Sequence, residues 1–201
     1  MTMELLQEIE AYEPFNEQER RDKEQILSLL RKEQDIFFRT NLTAHITVSV
    51  WVINPSHTKT LMVYHNLYDS WSWIGGHADG EKELKKVALK ELKEETGVQK
   101  VKFITEEIFS LEILTVAGHE KKGQYVPSHL HLNITYLAEA AEEEELKVCK
   151  EENKEVKWWP LKEALGASTE PWMVQRIYKK LIEKYEKCSS NCTGGKDDRR
   201  K

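Results

Sequence analysis

One segment narrows the possible folds more than any other: Lys90 to Val98, which reads Lys-Glu-Leu-Lys-Glu-Glu-Thr-Gly-Val. Taken as the end of a helix from Leu84 to Thr96, at about 100° per residue, it collects Leu84, Val87, Ala88, Leu89 and Leu92 into one apolar arc. Lys85, Lys86, Lys90 and Lys93 fall mostly on the opposite side. Glu91, Glu94 and Glu95 do not join the lysines; they overlap the apolar arc at its C-terminal end. Carboxylates turned toward a core beside a helix C-terminus are disfavoured twice, by desolvation and by the negative end of the helix dipole. A divalent cation compensates both costs best, and the cluster points to an enzyme. Gly97 stands where a helix commonly stops in the left-handed conformation.

The 201 residues suffice for one domain with a full core and an appendage. Charged residues at 32% and hydrophobic ones at 39% match a soluble globular protein. A net charge of −5 argues against a general nucleic-acid binder, which carries a basic footprint. No apolar run is long enough to span a membrane, and Met-Thr-Met-Glu-Leu-Leu-Gln-Glu is not a signal peptide. Three cysteines, Cys149, Cys188 and Cys192, form no even framework, so the expected location is the cytoplasm. The sequons at Asn41, Asn133 and Asn191 are then chance matches.

Residues 1–40 read as a helical, charged extension. Ile26, Leu29, Leu30, Ile36 and Phe37 recur at roughly helical spacing after the boundary signal Pro14-Phe15-Asn16. Its apolar residues are expected to pack on the main domain or on a partner chain, which leaves a homodimer open. The main domain spans 41–187. Strands are expected at Ala44 to Asn54 and Lys59 to His65 with a turn at Asn54-Pro55-Ser56-His57, then a Trp- and Gly-rich loop from Tyr68 to Gly80 and a helix over about Lys82 to Thr96. Further strands are expected at Lys100 to Thr105, Ile108 to Ala117, His129 to Glu139 and Val156 to Leu161. Glu142 to Glu155 reads as an acidic loop with some helix, and Pro171 to Lys187 as a closing helix. The polar tail 188–201 is expected to be disordered. Strands interrupted by one helix and closed by another give an α/β domain with a mixed sheet.

The stretch Gly75 to Val98, Gly-Gly-His-Ala-Asp-Gly-Glu-Lys-Glu-Leu-Lys-Lys-Val-Ala-Leu-Lys-Glu-Leu-Lys-Glu-Glu-Thr-Gly-Val, resembles the Nudix box. Glu91, Glu94, Glu95, Gly97 and Val98 fall on the motif's second half and Gly76 on its opening glycine. Lys90 stands where the family has Arg, and Lys82 where it has the first Glu, flanked by Glu81 and Glu83. Lysine offers a point charge where arginine offers a planar fork. The resemblance extends over about Ile46 to Leu165 and does not reach the N-terminal helices. It implies an α/β/α sandwich with a mixed sheet and a hydrolase that cleaves the pyrophosphate of a nucleoside diphosphate linked to another moiety.

Mg²⁺ or Mn²⁺ suits such a site, since both favour oxygen ligands and bridge carboxylates to phosphates. Glu91 with Glu95 and Glu91 with Glu94 are i,i+4 and i,i+3 pairs. Family analogy adds the carbonyl of Gly75 to the metal ligands Glu91, Glu94 and Glu95. The general base is left open between Glu94 in the box and Glu151, Glu152 or Glu155 outside it.

Each further candidate has an ordinary reading beside the functional one. His129, His131 and Asn133 alternate with Leu130, Leu132 and Ile134, so they share a sheet face that lines a substrate pocket or meets solvent. A zinc site on His129 and His131 is disfavoured, because no further His or Cys stands at ligand spacing nearby. His77 either contacts phosphate or is an ordinary loop histidine. Trp71, Trp73 and Tyr68 either stack on a base or enter the core, the commoner fate of aromatics at that density. Glu142 to Glu145 reads as a solvated loop, and the Cys188–Cys192 pair is assigned no role. Two other functions compete: a non-catalytic nucleotide-sensing module on the same fold, and an isopentenyl-diphosphate isomerase, which needs a catalytic cysteine that Cys149 poorly supplies.

Overall fold

The computed structural model of the protein describes residues 2–33, 35–121 and 123–193. Its elements in chain order are α1 (Thr2–Ala11), α2 (Glu17–Lys32), β1 (Ala44–Ile53), β2 (Lys59–His65), β3 (Ser70–Ser72), β4 (Ile74–His77) and α3 (Leu84–Thr96). There follow β5 (Val101–Phe103), β6 (Ser110–Val116), β7 (His119–Lys121), β8 (Gln124–Val126), β9 (His129–Ala140), β10 (Asn153–Pro160) and α4 (Leu161–Ala167). The chain closes with α5 (Pro171–Met173), a π-helical turn Val174–Tyr178 and α6 (Lys179–Thr193). α6 thus runs past Lys187, the end expected for it, and takes residues 188–193 of the polar tail into a helix. Residues 194–201 lie outside the described residues.

The sheet is mixed. Its strands run β10-β2-β1-β9-β5, with β3 added to β2, β4 to β1 and β6 to β9. β1 and β9 pair in parallel, from Ala44 opposite Leu130 to Ile53 opposite Glu139; the other pairings are antiparallel. β7 and β8 form a separate hairpin. Two short strands, β3 and β4, lie inside the segment expected to be a loop. Glycine has poor strand propensity, which hid β4. The sheet needs glycine there for space, because a Cβ on Gly75 would come within 2.4 Å of the Val48 carbonyl oxygen.

Strand alternation splits the core in two. Ala44, Ile46, Val48, Val50 and Val52 of β1 join Leu132, Ile134, Tyr136 and Ala138 of β9 on one face. Leu84, Val87, Ala88 and Leu92 of α3, Leu5 and Ile9 of α1, and Ile26 and Leu30 of α2 belong to the same cluster. The other face holds Trp51, Ile53, Trp71, Trp73 and Leu137 against Ala164 of α4 and Tyr178, Leu181 and Tyr185 at the C-terminal helix. The result is a sandwich of helices about a sheet. The apolar residues of the N-terminal helices are buried in the chain's own core, which removes the reason for assigning them to a second copy.

Between these layers runs a buried charged network. Glu19 of α2 and Glu112 of β6 share Lys180 of α6, at 3.1 and 2.9 Å, with all three side chains buried. Lys184 adds a second cation 3.2 Å from Glu19, and the Phe15 backbone N–H donates to the same carboxylate at 2.7 Å. Burial pushes the Glu19 carboxyl up, but Lys180, Lys184 and the Tyr12 hydroxyl outweigh it and hold it below its ordinary 4.5. Its contribution is therefore present above the unfolded value and is lost as pH falls through the lower folded one.

Removing one partner of such a pair strands a charge in the core. Lys180→Met is expected to destabilise the protein by about 3–5 kcal/mol, read from urea denaturation at neutral pH. A loss under about 1 kcal/mol, the range of an exposed pair, would show that charge pairing does not hold this layer.

Candidate active site

α3 carries the acidic cluster, and its phase in the structure differs from expectation at two positions. The buried face holds Leu84, Val87, Ala88, Leu92 and Glu95, with Glu91 on the same face and its side chain 12% exposed. Leu89 lies outside that face and is exposed. Glu94 is 55% exposed and pairs with Lys90 at 3.2 Å. The expectation that all three glutamates turn inward is thus corrected. Glu91 and Glu95 sit near the centre of the arc, whereas Glu94 falls about 100° from Glu95 on the wheel. The three do not converge within 4.8 Å as one ligand set, and among the described residues only a histidine group does so.

Glu91 and Glu95 both meet the glycine turn. Glu95, 3% exposed, accepts the Gly75 backbone N–H at 2.9 Å and Asn153 Nδ2 at 3.0 Å. The Glu91 carboxylate lies so close to Gly76 that a Cβ there would be 2.4 Å from its Cδ. Lys90, on the family's arginine position, touches Glu91 at 3.3 Å as well as Glu94, a point charge shared by two acids. Burial raises the Glu95 carboxyl to about 8, and the charges of Glu91 and Glu152 add to it against the two hydrogen bonds. Burial also raises Glu91, opposed by Lys90 and reinforced by Glu94 and Glu152. Neither flanking residue replaces the missing first glutamate at position 82. Glu81 accepts the N–H groups of Lys82 and Glu83 at the start of α3, and Glu83 pairs with Lys86 at the surface.

Two partners escaped the sequence reading. Asn153 begins β10 three residues before the expected strand, and its Oδ1 is buried with no partner. Arg39 pairs with Asp79 at 2.6 Å, and the charges of Glu91 and Glu152 also reach it. Among the distal acids, the charge of Glu152 adds to the raising of both Glu91 and Glu95. No local signal marks Asn153 or Arg39; each arrives through pairing of distant segments.

A divalent cation with oxygen ligands fits this place. Two carboxylates with raised proton affinity, an orphaned amide oxygen and a turn that tolerates no Cβ form a donor set short of positive charge.

Other expected site residues lie elsewhere. Trp71 and Trp73, each 8% exposed, pack on Trp159 and Tyr178 in the second core cluster and are not open to a base, which corrects their assignment to substrate. Asn133, 1% exposed, is saturated: Oδ1 accepts from Thr47 and Ser49, and Nδ2 donates to Glu112 and Thr135, all at 3.0 Å. It belongs to the buried polar layer, and its assignment to substrate is likewise corrected. His77, His129 and His131 are brought together with His45, ring centroids about 5 Å apart. Burial and the neighbouring rings drive the His131 imidazole far below its ordinary 6.5. The reasoning that no further histidine stands nearby is overturned, because β1 and β4 supply two.

Because Glu95 retains a proton when folded that the unfolded chain releases above its ordinary 4.5, its own contribution to metal-free stability is full below that value and declines as pH rises to about 8. Glu95→Gln is expected to remove this decline, read as urea midpoints between pH 5 and 8.5 in the presence of a chelator. Parallel pH profiles for both proteins would show that the carboxylate is not held in its protonated form.

A family model described as the NUDIX domain matches residues 43–185. No curated protein sequence matches the chain. Among solved structures, the chain is similar to the NUDIX domain of Shewanella oneidensis NrtR complexed with ADP ribose, at 17% identity and a TM-score of 0.51, over 81% of this chain and 97% of that one. It is also similar to a C. elegans Ap4A hydrolase in a binary complex, at 18% identity and a TM-score of 0.50, over 73% of this chain and 98% of that one. Both likenesses are of fold.

Proposed function

The chain belongs to the Nudix family and is a pyrophosphohydrolase of that type, and from this premise we propose that it cleaves, with Mg²⁺ or Mn²⁺, the pyrophosphate linkage of a nucleoside diphosphate joined to another moiety. The observation that carries the reading is the pair Glu91 and Glu95 closed over Gly75–Gly76, with both carboxyls raised.

Glu91, Glu95 and the Gly75 carbonyl are the groups assigned to hold the ion, with Asn153 Oδ1 as an added oxygen. Glu94 stands at the outer edge, where its exposed carboxylate shares Lys90. When bound, a divalent ion supplies positive charge against the negative charge developing on phosphoryl oxygens. The chain's own part is positional. The Gly75 N–H and Asn153 fix the Glu95 rotamer, and the bare glycines let a phosphate approach the backbone. Arg39, half-exposed beside Asp79, is a cationic arm for the diphosphate.

Glu152 is the preferred general base. It is exposed, on the loop before β10, and its negative charge adds to the raising of both buried carboxylates. In this role its carboxylate takes a proton from water as the water oxygen bonds to phosphorus and the bridging oxygen leaves. The two similar structures, an Ap4A hydrolase and a NUDIX domain complexed with ADP ribose, put dinucleoside polyphosphates and ADP-ribose among the candidate substrates.

A panel of nucleoside triphosphates, nucleotide sugars, dinucleoside polyphosphates and ADP-ribose with Mg²⁺, followed by release of phosphate or mononucleotide, tests the reading. On the best substrate, Glu91→Gln and Glu95→Gln are each expected to lower kcat by roughly 10²–10³, and Glu94→Gln by less. Full metal-dependent activity in both Glu91→Gln and Glu95→Gln would sink the assignment. A chain that binds a nucleotide on this panel but never turns it over would be a sensing module instead.

A further inference from the structure

We propose that His45, His77 and His131 form a binding site for a transition-metal dication of the zinc type, with a donor set of its own beside the carboxylates at the glycine turn. Three strands assemble it. β1 and β9 set His45 opposite His131, and β4 sets His77 opposite Thr47, two residues along the same face of β1. One ligand nitrogen from each ring lies within 4.8 Å of the other two. Tetrahedral zinc with Zn–N bonds of about 2.0–2.1 Å spaces its nitrogens about 3.3–3.4 Å apart, so small ring rotations close the set. Imidazole nitrogens prefer zinc, copper, iron or nickel, whereas magnesium and calcium prefer oxygen. The site therefore does not compete for the ion assigned to Glu91 and Glu95.

The hydrogen bonds around His45 and His131 leave each ring one nitrogen with a lone pair. His45 Nδ1 lies 3.0 Å from the Asn41 carbonyl oxygen and donates to it. The opposite nitrogen, Nε2, is then a bare acceptor; it is buried in a residue 4% exposed and has no partner. His129 repeats the arrangement one step out. Its Nδ1 lies 2.8 Å from the Pro127 carbonyl oxygen, which leaves its Nε2 to accept the proton of His131 Nε2 at 3.2 Å. His131 Nδ1 is left with a lone pair. A backbone carbonyl that fixes the tautomer, as on His45, is what metal-ligating histidines ordinarily have. Three protein imidazoles are also the ligand count of zinc sites that keep a further position for water or an anionic oxygen.

The inference stands on the histidine geometry, and it holds whether or not the glutamates act as proposed. The test is a Co²⁺ titration of the chelator-stripped full chain, followed by visible absorption. One equivalent of Co²⁺ is expected to give four-coordinate bands that Zn²⁺ displaces and excess Mg²⁺ does not. His45→Gln and His131→Gln are expected to abolish the bands, Glu95→Gln to keep them, and His129→Asn to weaken Co²⁺ binding roughly 10–100-fold as an outer-sphere partner would. Absence of binding, bands unchanged in His45→Gln/His131→Gln, or bands lost in Glu95→Gln would overturn the site. If the histidine variants do not fold, X-ray absorption of the zinc-loaded wild-type protein decides. Imidazole scattering from nitrogens at about 2.0–2.1 Å upholds the proposal, and an all-oxygen shell refutes it.

Discussion

The parallel pairing of β1 with β9 is the constraint from which both faces of this molecule follow. It runs without a slip from Ala44–Leu130 to Ile53–Glu139. Side chains on a strand alternate with a period of two, so a shift of one residue would move every side chain to the opposite face. With the register as it stands, the aliphatic set meets α3 and the N-terminal helices. The other set is graded along the strands. Histidines stand at one end, then Thr47, Ser49, Asn133 and Thr135 in a closed hydrogen-bonded layer, then Trp51 and Leu137 beneath the C-terminal helix. β4 joins the same frame and brings Gly75 and Gly76 to α3.

The polar layer is as much a part of the core as the aliphatic one. Glu112 accepts from Asn133 and Thr135 on one side and meets Lys180 on the other, and Glu19 completes the pairing from α2. Burial of such ions is costly, and only near-complete pairing makes it tolerable. The helices before residue 43, outside the family match, are thus bonded into the domain by charge as well as by Ile9, Ile26 and Leu30.

Much of this was legible in the sequence, for local reasons. The 3.6-residue period of α3, the left-handed stop at Gly97 and the alternation in β1 and β9 are properties of short segments, and they placed the helix, the mixed sheet and the Glu91–Glu95 pair. What failed was non-local. Glu94 was displaced by a rotation that periodicity resolves only coarsely. For Trp71 and Trp73 both readings stood open, because their burial is decided by Trp159 and Tyr178, far later in the chain. The histidine group was invisible for the same reason: its members come from three strands, and ligand spacing along the chain reports only those that are neighbours in sequence. Asn153 and Arg39 likewise acquire meaning only after the sheet has closed.

The Glu19 pairing has a bearing on how the chain is made. During synthesis α2 emerges well before its cations, since Lys180 and Lys184 lie far later in the chain than Glu19. Until then Glu19 lacks its cations, and only apolar burial through Ile9, Ile26 and Leu30 draws α1 and α2 to the sheet. Contacts of such sequence separation delay folding, because the loop between them must be closed before they reward it. The charge pairing that fixes α2 is therefore completed late, when α6 comes back to it.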